Sequence, residues 1–157
     1  MSRVGLISDT HGLLRPEATA FLRGSDFIVH AGDIGDGNIL KELGDLAPVT
    51  AVRGNNDKGS WAETVPETEV LQIGEILIYV LHNLAELDFD PVAAGFHVIV
   101  SGHSHRPSVE NRGGVLYVNP GSSGPRRFKL PIAVAELQLV RDAVKARLVE
   151  LDVSGAA

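Results

Sequence analysis

The chain carries four clusters of side chains that can bind divalent metal ions, together with one separate histidine. The clusters are 9-DTHG-12, 32-GD-33, 54-GNND-57 and 101-SGHSHRP-107, and His82 follows an apolar run. Their carboxylate, imidazole and amide groups are the nitrogen and oxygen donors that divalent ions require. The candidate ligands are Asp9, His11, Asp33, Asn55, His82, His103 and His105.

The spacing within two of these clusters suits a shared ion. Residues i and i+2 of an extended segment project to the same side, so Asp9 and His11 could reach one ion. The same period applies to His103 and His105. Asp33, a lone carboxylate on its loop, could bridge two ions. The clusters together therefore predict a metal centre without sulfur ligands.

Each cluster taken alone also has a structural explanation. Asp, Asn and Gly are frequent in turns, so the first three clusters could each be a turn or a helix cap. The paired histidines of the fourth could form a pH-sensitive or merely polar loop. The clusters taken together favour the metal interpretation, because four of the six histidines fall at predicted strand ends. The other two, His30 and His97, are predicted to be core residues or supports of the ligands.

Apolar runs alternate with helical patterns in the first third of the chain. Val4–Ser8, Phe27–Ala31 and Val49–Val52 are predicted strands, and Pro16–Arg23 and Asn38–Leu46 are predicted helices. Apolar strands separated by helices indicate a parallel sheet covered on both faces. Sites in such sheets form beyond the carboxyl ends of the strands. We therefore expect the first three clusters to meet at one edge.

The second half of the chain favours hairpins. The predicted strand pairs are Glu69–Gln72 with Glu75–Leu81, Val109–Glu110 with Val115–Val118, and Ile132–Val140 with Ala143–Leu151. A short helix, Pro91–Gly95, precedes a strand, Val98–Val100, that leads into His103. Both halves together predict two packed sheets with helices outside, in a single α/β domain of residues 1–157.

Composition narrows the classes of function. The chain has 157 residues, no cysteine and a net charge of −6. These features exclude disulfides and cysteine nucleophiles, and they argue against stable binding of duplex nucleic acid. The sequence lacks the G-x-S-x-G motif of serine hydrolases. No apolar run is long enough to span a membrane and no signal peptide is recognisable, so we expect a cytoplasmic location.

The ordered set D-x-H, GD, GN-x-D, a strand-terminal His and GH-x-H resembles the calcineurin-like metallophosphoesterase superfamily. The resemblance runs from Val4 to about Arg127. The compact length, the GNND cluster and 119-NPGS-122 make the chain most similar to the small bacterial and archaeal phosphodiesterase branch. This resemblance implies a four-layer αββα sandwich of two mixed β-sheets with a di-metal centre.

The family pattern also implies a role for each candidate ligand. It assigns Asp9, His11 and His105 to the first metal, Asp33 to a bridge, and Asn55, His82 and His103 to the second metal. Two metals ~3.5–4 Å apart can hold a phosphoryl oxygen and a bridging hydroxide in line for attack on phosphorus. The implied activity is hydrolysis of a small phosphodiester. Mn²⁺ is the favoured metal, and Fe, Zn, Ni and Co also suit such ligands.

The chain departs from the family pattern at two positions. Asn56 stands where the wider superfamily often has a histidine that protonates the leaving group, and an amide cannot do this near neutral pH. Good leaving groups or protonation through water are therefore expected. Asp57 is either an orienting group or a turn carboxylate, and with Asn55 and Asn56 it completes the catalytic candidates. Asn83 replaces the usual glycine after His82, where it could narrow the cleft or exclude a positive φ.

The remaining expectations concern substrate and partners. Asn55, Arg126 and Arg127 are the candidate phosphate-binding residues, because guanidinium groups suit phosphate geometry. Trp61 is predicted to pack in the core or in an interface, which would allow a homo-oligomer. The alternative to an enzyme is a non-catalytic protein-interaction scaffold of the same fold, similar to a retromer subunit in which the metal ligands are partly replaced. All seven ligand positions are filled here, which favours the enzyme.

Overall fold

The computed structural model describes residues 1–153 and contains ten strands and five short helical segments in that range. The strands are β1 (Ser2–Ile7), β2 (Phe27–His30), β3 (Val49–Ala51), β4 (Thr68–Ile73), β5 (Ile76–Leu81), β6 (Val98–Val100), β7 (Ser108–Arg112), β8 (Val115–Asn119), β9 (Ala133–Val140) and β10 (Ala143–Glu150). The helices are α1 (Pro16–Leu22), α2 (Gly37–Gly44), α3 (Ser60–Glu63), a 3₁₀ turn (Leu84–Glu86) and α4 (Pro91–Ala94).

The strands form two mixed sheets of five strands each. The first has the order β10-β9-β1-β2-β3, with β1, β2 and β3 parallel and the β9–β10 hairpin antiparallel to β1. The second has the order β4-β5-β6-β8-β7, in which β5, β6 and β8 are parallel and β4 and β7 pair antiparallel at the edges. The predicted parallel core and all three predicted hairpins are confirmed.

The period-two alternation of β1 explains how the layers pack. Val4 and Leu6 point to the interior between the sheets, where they join Val80 and Val100 of the second sheet. Ile7 belongs to the opposite side of the first sheet, where α1 and α2 cover it. Because successive strand residues face opposite sides, a strand that is apolar throughout must be covered twice. The predicted two-sheet sandwich with outer helices is therefore confirmed.

The outer helical layers are unequal in size. Helix α1 begins at Pro16, which suits a first helical turn, and buries Ala18 and Leu22. Helix α2 is capped by Asp36, whose side chain accepts from the Asn38 amide. On the outer side of the second sheet, the 3₁₀ turn contributes Leu84 and the residue Phe96 follows α4, and both pack against Leu81 and Ile99. No helix within residues 1–153 is long and apolar enough to cross a membrane.

Two short helical elements were not predicted from the sequence, the 3₁₀ turn and helix α3. Gly59 precedes α3 without a side-chain cap. Four residues are too few to display a helical period, so no pattern could have indicated this element. Its Trp61 packs against the apolar core beneath α2 and is partly buried, as expected of a core residue.

Candidate metal centre

The loops that follow β1 and β2 lie side by side beyond the carboxyl ends of the two strands. The backbone amides of Asp9, His11 and Gly12 donate in turn to the carbonyls of Gly32, Asp33 and Ile34, at 2.9, 2.9 and 2.8 Å. The parallel pairing of the strands therefore continues into the loops. This ladder brings the D-x-H cluster against the GD cluster, as the strand-end argument predicted.

Most of the candidate ligands occupy an unusual backbone conformation. Positive φ angles occur at Asp9, His11, Asp33, His103 and His105, at 55°, 46°, 56°, 72° and 63°. Within residues 1–153 only two other non-glycine residues share this feature. Left-handed conformations are uncommon for residues other than glycine, and strained backbone clusters at functional sites.

The positive φ angles also contradict the extended conformation that was predicted for the two pairs of candidate ligands. Asp9 and His11 lie close together, but neither is extended, so the expectation of an extended i, i+2 segment is wrong. It is wrong for His103 and His105 for the same reason. The left-handed residues turn each loop sharply, and these turns bring the candidate ligand side chains together.

The first group of converging side chains contains Asp9, His11 and His105. Asp9 Oδ1 lies 3.3 Å from His105 Nε2 and 3.7 Å from His11 Nε2. The two imidazole nitrogens lie 3.4 Å apart. Asp9 and His105 are buried and His11 is half-buried. One carboxylate oxygen and two ring nitrogens therefore point at a common space.

The second group contains Asp9, Asp33 and His82. His82 Nε2 lies 3.2 Å from Asp33 Oδ2 and 4.0 Å from Asp9 Oδ1. His82 Nδ1 lies 2.7 Å from the carbonyl of Ala31, which can only accept, so Nδ1 carries a proton and, in the neutral ring, Nε2 has a free lone pair. Asp33 Oδ2 is also 3.8 Å from His11 Nε2, which puts Asp33 between the two groups.

The other two candidate ligands, His103 and Asn55, lie at the edge of these groups. Both side chains are exposed. The ring of His103 packs edge-on against His82, with centroids 5.2 Å apart, and its backbone amide donates to Asp9 Oδ2. Asn55 lines a cavity together with His82. His105 belongs to the first group, whereas His103 belongs to neither and contacts His82 of the second, so its assignment to a second metal stays a prediction.

Opposite charges shift the pKa values of the acids and bases in both groups. Burial raises the pKa of Asp9, but His105, His11 and the Ser8 hydroxyl outweigh it and bring the pKa far below its usual range. Asp9 in turn raises the pKa of His11. Burial also opposes charge on Asp33 and His82, yet each favours charge on the other, so the pKa of Asp33 is lowered and that of His82 is raised. The carboxylates therefore stay ionised near neutral pH.

Three buried atoms of these groups have no hydrogen-bond partner in the described part of the chain: Asp9 Oδ1, His82 Nε2 and His105 Nδ1. Unpartnered buried polar atoms are rare, because each costs the free energy of its lost hydration. A cation between the carboxylates and the imidazole lone pairs would satisfy the first two. The donor set is therefore suited to divalent ions with oxygen and nitrogen ligands.

The GNND cluster supports Asp33 and shapes the loop around it. The Asn56 backbone amide donates to Asp33 Oδ1 at 3.0 Å, and its side-chain amide donates to Oδ2 at 3.3 Å. Asp57 is buried and accepts from the amides of Gly35 and Gly54, both at 2.9 Å. Asn56 thus orients the carboxylate of a candidate ligand. Asp57 joins two loops through Gly35 and also closes the turn of its own cluster through Gly54, so both predicted roles agree with its contacts.

Close backbone approach is required at Gly54. A Cβ atom there would lie 2.2 Å from Asp33 Oδ1, so any other residue would displace that carboxylate. Gly102 has the same constraint, because its Cβ would lie 2.1 Å from Ser8 Oγ and 2.6 Å from Asp9 Oδ2.

The sequence analysis missed several supporting residues. Ser8 Oγ donates to Asp9 Oδ2 at 2.6 Å, and Ser122 Oγ donates to the Asp9 carbonyl at 3.0 Å. Asn119 holds the His-containing loop by donating to the Gly102 carbonyl at 2.9 Å. Asn119 and Ser122 belong to the 119-NPGS-122 motif noted in the sequence. Ser8 had no such signal, because serine is too common to indicate a role by itself.

His30 is a support and not a candidate ligand, as predicted. It is fully buried, and burial lowers its pKa to about 4, so the ring is neutral near pH 7. Its Nδ1 accepts from the Gly32 amide at 3.1 Å, which leaves the proton on Nε2, 3.0 Å from Thr10 Oγ1. The neutral ring therefore connects the two loops that carry Asp9 and Asp33.

Arg126, Arg127 and Asn83 lie at the margin of the centre. Both arginines are exposed, and the charge of Arg127 acts against protonation of His11, which indicates that it is near the first group. Arg126 Nη1 donates to the Leu130 carbonyl at 3.4 Å. Asn83 has a φ of −113°, so this position has no need of a glycine, and its side chain caps the 3₁₀ turn.

The two-sheet sandwich, with carboxylate and imidazole groups at its strand ends, matches the fold of small phosphoesterases. The sequence model of the calcineurin-like phosphoesterase superfamily domain matches residues 2–142, and the chain belongs to this superfamily.

Individual relatives agree with this assignment. A probable metallophosphoesterase of Methanocaldococcus jannaschii is 33% identical over 95% of this chain and 81% of the relative. A phosphodiesterase of the same organism is 26% identical over 76% of this chain and 82% of its own length. Among solved structures, wild-type Vps29 of Entamoeba histolytica complexed with Zn²⁺ has a TM-score of 0.69 at 22% identity, and the match covers 96% of this chain and 99% of that one.

Proposed function

We propose that this protein is a phosphodiesterase that depends on two divalent metal ions. The observation that carries the proposal is the convergence of unpartnered buried atoms, Asp9 Oδ1 and His82 Nε2, on a space lined by ionised carboxylates. A stable protein without a ligand would gain from replacing such groups by apolar ones. Membership of a phosphoesterase superfamily and the name of the 26%-identical phosphodiesterase support the choice of reaction.

In this proposal, seven residues hold the two ions. Those of the first ion are Asp9, His11 and His105, the bridge is Asp33, and those of the second ion are Asn55, His82 and His103. When bound, the ions would neutralise the phosphoryl oxygens and lower the pKa of a water molecule that attacks phosphorus. Mn²⁺ is the favoured metal, and Fe, Zn, Ni and Co fit the same donors.

The rest of the chain's contribution is orientation and substrate contact. Asn56 fixes both oxygens of Asp33 through two hydrogen bonds, and Asp57 fixes the loop that carries Asn55. Asn55 is exposed beside His82 and is the amide best situated to contact a phosphoryl oxygen. Arg126 and Arg127 are exposed cations that would bind the remaining charge of the substrate.

Proton transfer to the leaving group separates good substrates from poor ones. The Asn56 amide is engaged with Asp33 and has no proton to give near neutral pH. The enzyme is therefore expected to favour leaving groups that depart without protonation, such as phenolates. Alkyl diesters would react through a proton from water.

The test is hydrolysis of an aryl phosphodiester and its monoester by metal-stripped protein, with and without added Mn²⁺. Asn55→Ala and His103→Ala are assayed alongside, with Glu75→Gln as a control at an exposed turn. Diester turnover that Mn²⁺ restores, and that both ligand variants lose while the control keeps it, is the expected result. The absence of turnover with Mn²⁺, Fe, Zn, Ni or Co, despite metal binding, would overturn the proposal.

That negative result would favour the second candidate, a protein-interaction scaffold. The shared fold of Vps29 is the observation behind it. Complete ligand positions count against it, because a scaffold has no need to keep buried unpartnered donors. We also infer a small phosphodiester as substrate, a cytoplasmic location for the single domain and no stable contact with duplex nucleic acid. A homo-oligomer is a further proposal that light scattering would test.

A further inference from the structure

A cavity of about 500 Å³ opens beside the candidate metal centre. It shares Asn55 and His82 with the centre and continues along β5 to Tyr79, with Glu86 and Asp88 on its wall. Its volume falls in the range of small-molecule sites. His82 is 4% exposed, and its Nε2 has no hydrogen-bond partner among residues 1–153. A phosphate held at the centre would therefore extend one of its ester groups into this cavity.

The cavity has a surplus of negative charge. Three carboxylates line it, those of Glu67, Glu86 and Asp88, against the single guanidinium of Arg53. Arg53 is already paired with Glu67, with Nη2 and Oε1 3.0 Å apart. In the described part of the chain, Glu86 and Asp88 have no cation within ion-pair distance. An ester group that carried further negative charge would be repelled from this wall.

An aromatic ring adds to the same preference. Tyr79 lines the cavity, and its ring is held by edge contacts with Phe89 and Phe96, with centroids 4.9 and 5.3 Å apart. The face of an aromatic ring attracts organic cations, and quaternary ammonium groups are recognised in this way. Carboxylates and an aromatic wall in one cavity are thus suited to a compact positive charge on an apolar body.

We propose that this cavity binds an amino alcohol ester, so that the substrate class is a phosphodiester in which one ester group carries a substituted ammonium. The inference rests on the proposed phosphodiesterase function and specifies its substrate. Phosphate at the centre and ammonium near Glu86 and Asp88 would give the substrate opposite charges at its two ends, matching the positive metals and the negative wall. The overall acidity of the protein then favours binding of the ammonium end.

The decisive comparison uses two substrates of nearly identical shape. One is p-nitrophenyl phosphocholine, and the other is p-nitrophenyl 3,3-dimethylbutyl phosphate, which replaces the ammonium nitrogen by carbon. Both release the same phenolate, so a difference in kcat/KM reports the positive charge alone. With Mn²⁺ present, we expect kcat/KM for the choline ester to exceed that for the uncharged ester by about fivefold or more. Two carboxylates would lie near the ammonium group, and each exposed charge pair contributes up to a fewfold.

Variants locate the preference within the cavity. Glu86→Gln and Asp88→Asn should each reduce the ratio, and the double variant should bring it near one, mainly through KM. Glu75→Gln removes the same charge from an exposed turn outside the cavity and should leave the ratio unchanged. A reduction by Glu75→Gln equal to that by Glu86→Gln would show a general charge effect and overturn the inference.

A second measurement is independent of turnover. Protein loaded with diamagnetic Zn²⁺ is titrated with phosphocholine, the monoester product, and the backbone amide resonances of residues 83–88 are followed. Shifts in this segment, absent in the double variant, are expected; shifts confined to other segments would overturn the proposed cavity. Equal hydrolysis of the two diesters would also overturn it while leaving the phosphodiesterase intact. Failure to hydrolyse any diester would instead count against the proposed function itself.

Discussion

Asp9, in the loop after β1, and Glu136, in β9, are both buried carboxylates, at 0% and 2% exposure, yet their surroundings are opposite. Glu136 lies in β9 and accepts from Arg3 Nε, from Arg147 Nε at 2.9 Å and from Gln138 at 3.1 Å. Both of its oxygens are bonded, by cations that belong to the chain. Asp9 has a serine and imidazoles around it, and its Oδ1 has no hydrogen-bond partner within residues 1–153.

From this difference we infer a structural role for the Glu136 carboxylate and a functional role for the Asp9 carboxylate. Arg3 also donates to the Phe21 carbonyl at 2.6 Å, so the Glu136 network joins β1, β9 and the end of α1. Burial of that carboxylate is compensated within the fold. At Asp9 the compensation within the described residues is incomplete, and the proposed metal ions would supply the opposite charge that the chain does not. Removing each carboxylate should therefore have opposite consequences for activity and stability.

The largest expected effect is on turnover. Asp9→Asn should reduce Mn²⁺-dependent kcat/KM by more than about 100-fold, because residues that merely orient metal ligands are already worth about 10–100-fold. Glu136→Gln, assayed on the same aryl diester, should stay within about twofold of the wild type under conditions where it is folded. Equal losses in the two variants would contradict the distinction drawn between the two carboxylates.

The next effect is stabilisation by metal. Mn²⁺ at 100 times its dissociation constant should raise the free energy of unfolding by about 2.7 kcal/mol if it binds only the native state. The wild type and Glu136→Gln should gain equally in urea denaturation, and the gain should disappear on addition of a chelator. Asp9→Asn should gain little. A full gain in Asp9→Asn would mean that the ion binds elsewhere.

The smallest effect is the pH dependence of stability. Burial raises the pKa of Glu136, but Arg3 and Arg147 outweigh it and hold the pKa below its usual 4.5. A carboxyl with a lowered folded pKa stabilises above its unfolded pKa and loses this contribution as the pH falls through the folded value. In metal-free protein, Glu136→Gln should cost about 2 kcal/mol near neutral pH. Its stability, measured by urea denaturation, should then decline less steeply than that of the wild type as the pH falls below the usual pKa of 4.5.

Much of the fold was predictable because the apolar pattern is strong. Strands such as β2 and β3 end where polar clusters begin, and their parallel pairing follows from the intervening helices. The convergence of Asp9, His11 and Asp33 followed from that topology. Two features were not predictable. Helix α3 is too short to show a period, and the left-handed backbone of the ligands depends on tertiary contacts.

The features of the site that the sequence could not predict also depend on tertiary contacts. Sequence alone left Asp57 as either a turn residue or an orienting group, because only the fold shows its hydrogen bonds to Gly35 and Gly54. Likewise, nothing local distinguishes Glu86 and Asp88 from ordinary loop charges. The two carboxylates differ from other loop charges because they line the same cavity as His82. That cavity is formed by segments distant in the sequence.

The position of β9 has a consequence for the order of events during synthesis. β1 lies between β2 and β9 in the first sheet, although β9 begins at Ala133, near the end of the chain. The turn before β9 also supplies Ser122 to the Asp9 carbonyl and the Ser123 amide to the Ser8 carbonyl. A nascent chain that has exposed every candidate ligand, up to His105, therefore still lacks the strand and the serines that fix Asp9. We expect the ions to be acquired only after β9 and the turn before it have emerged from the ribosome and packed against β1.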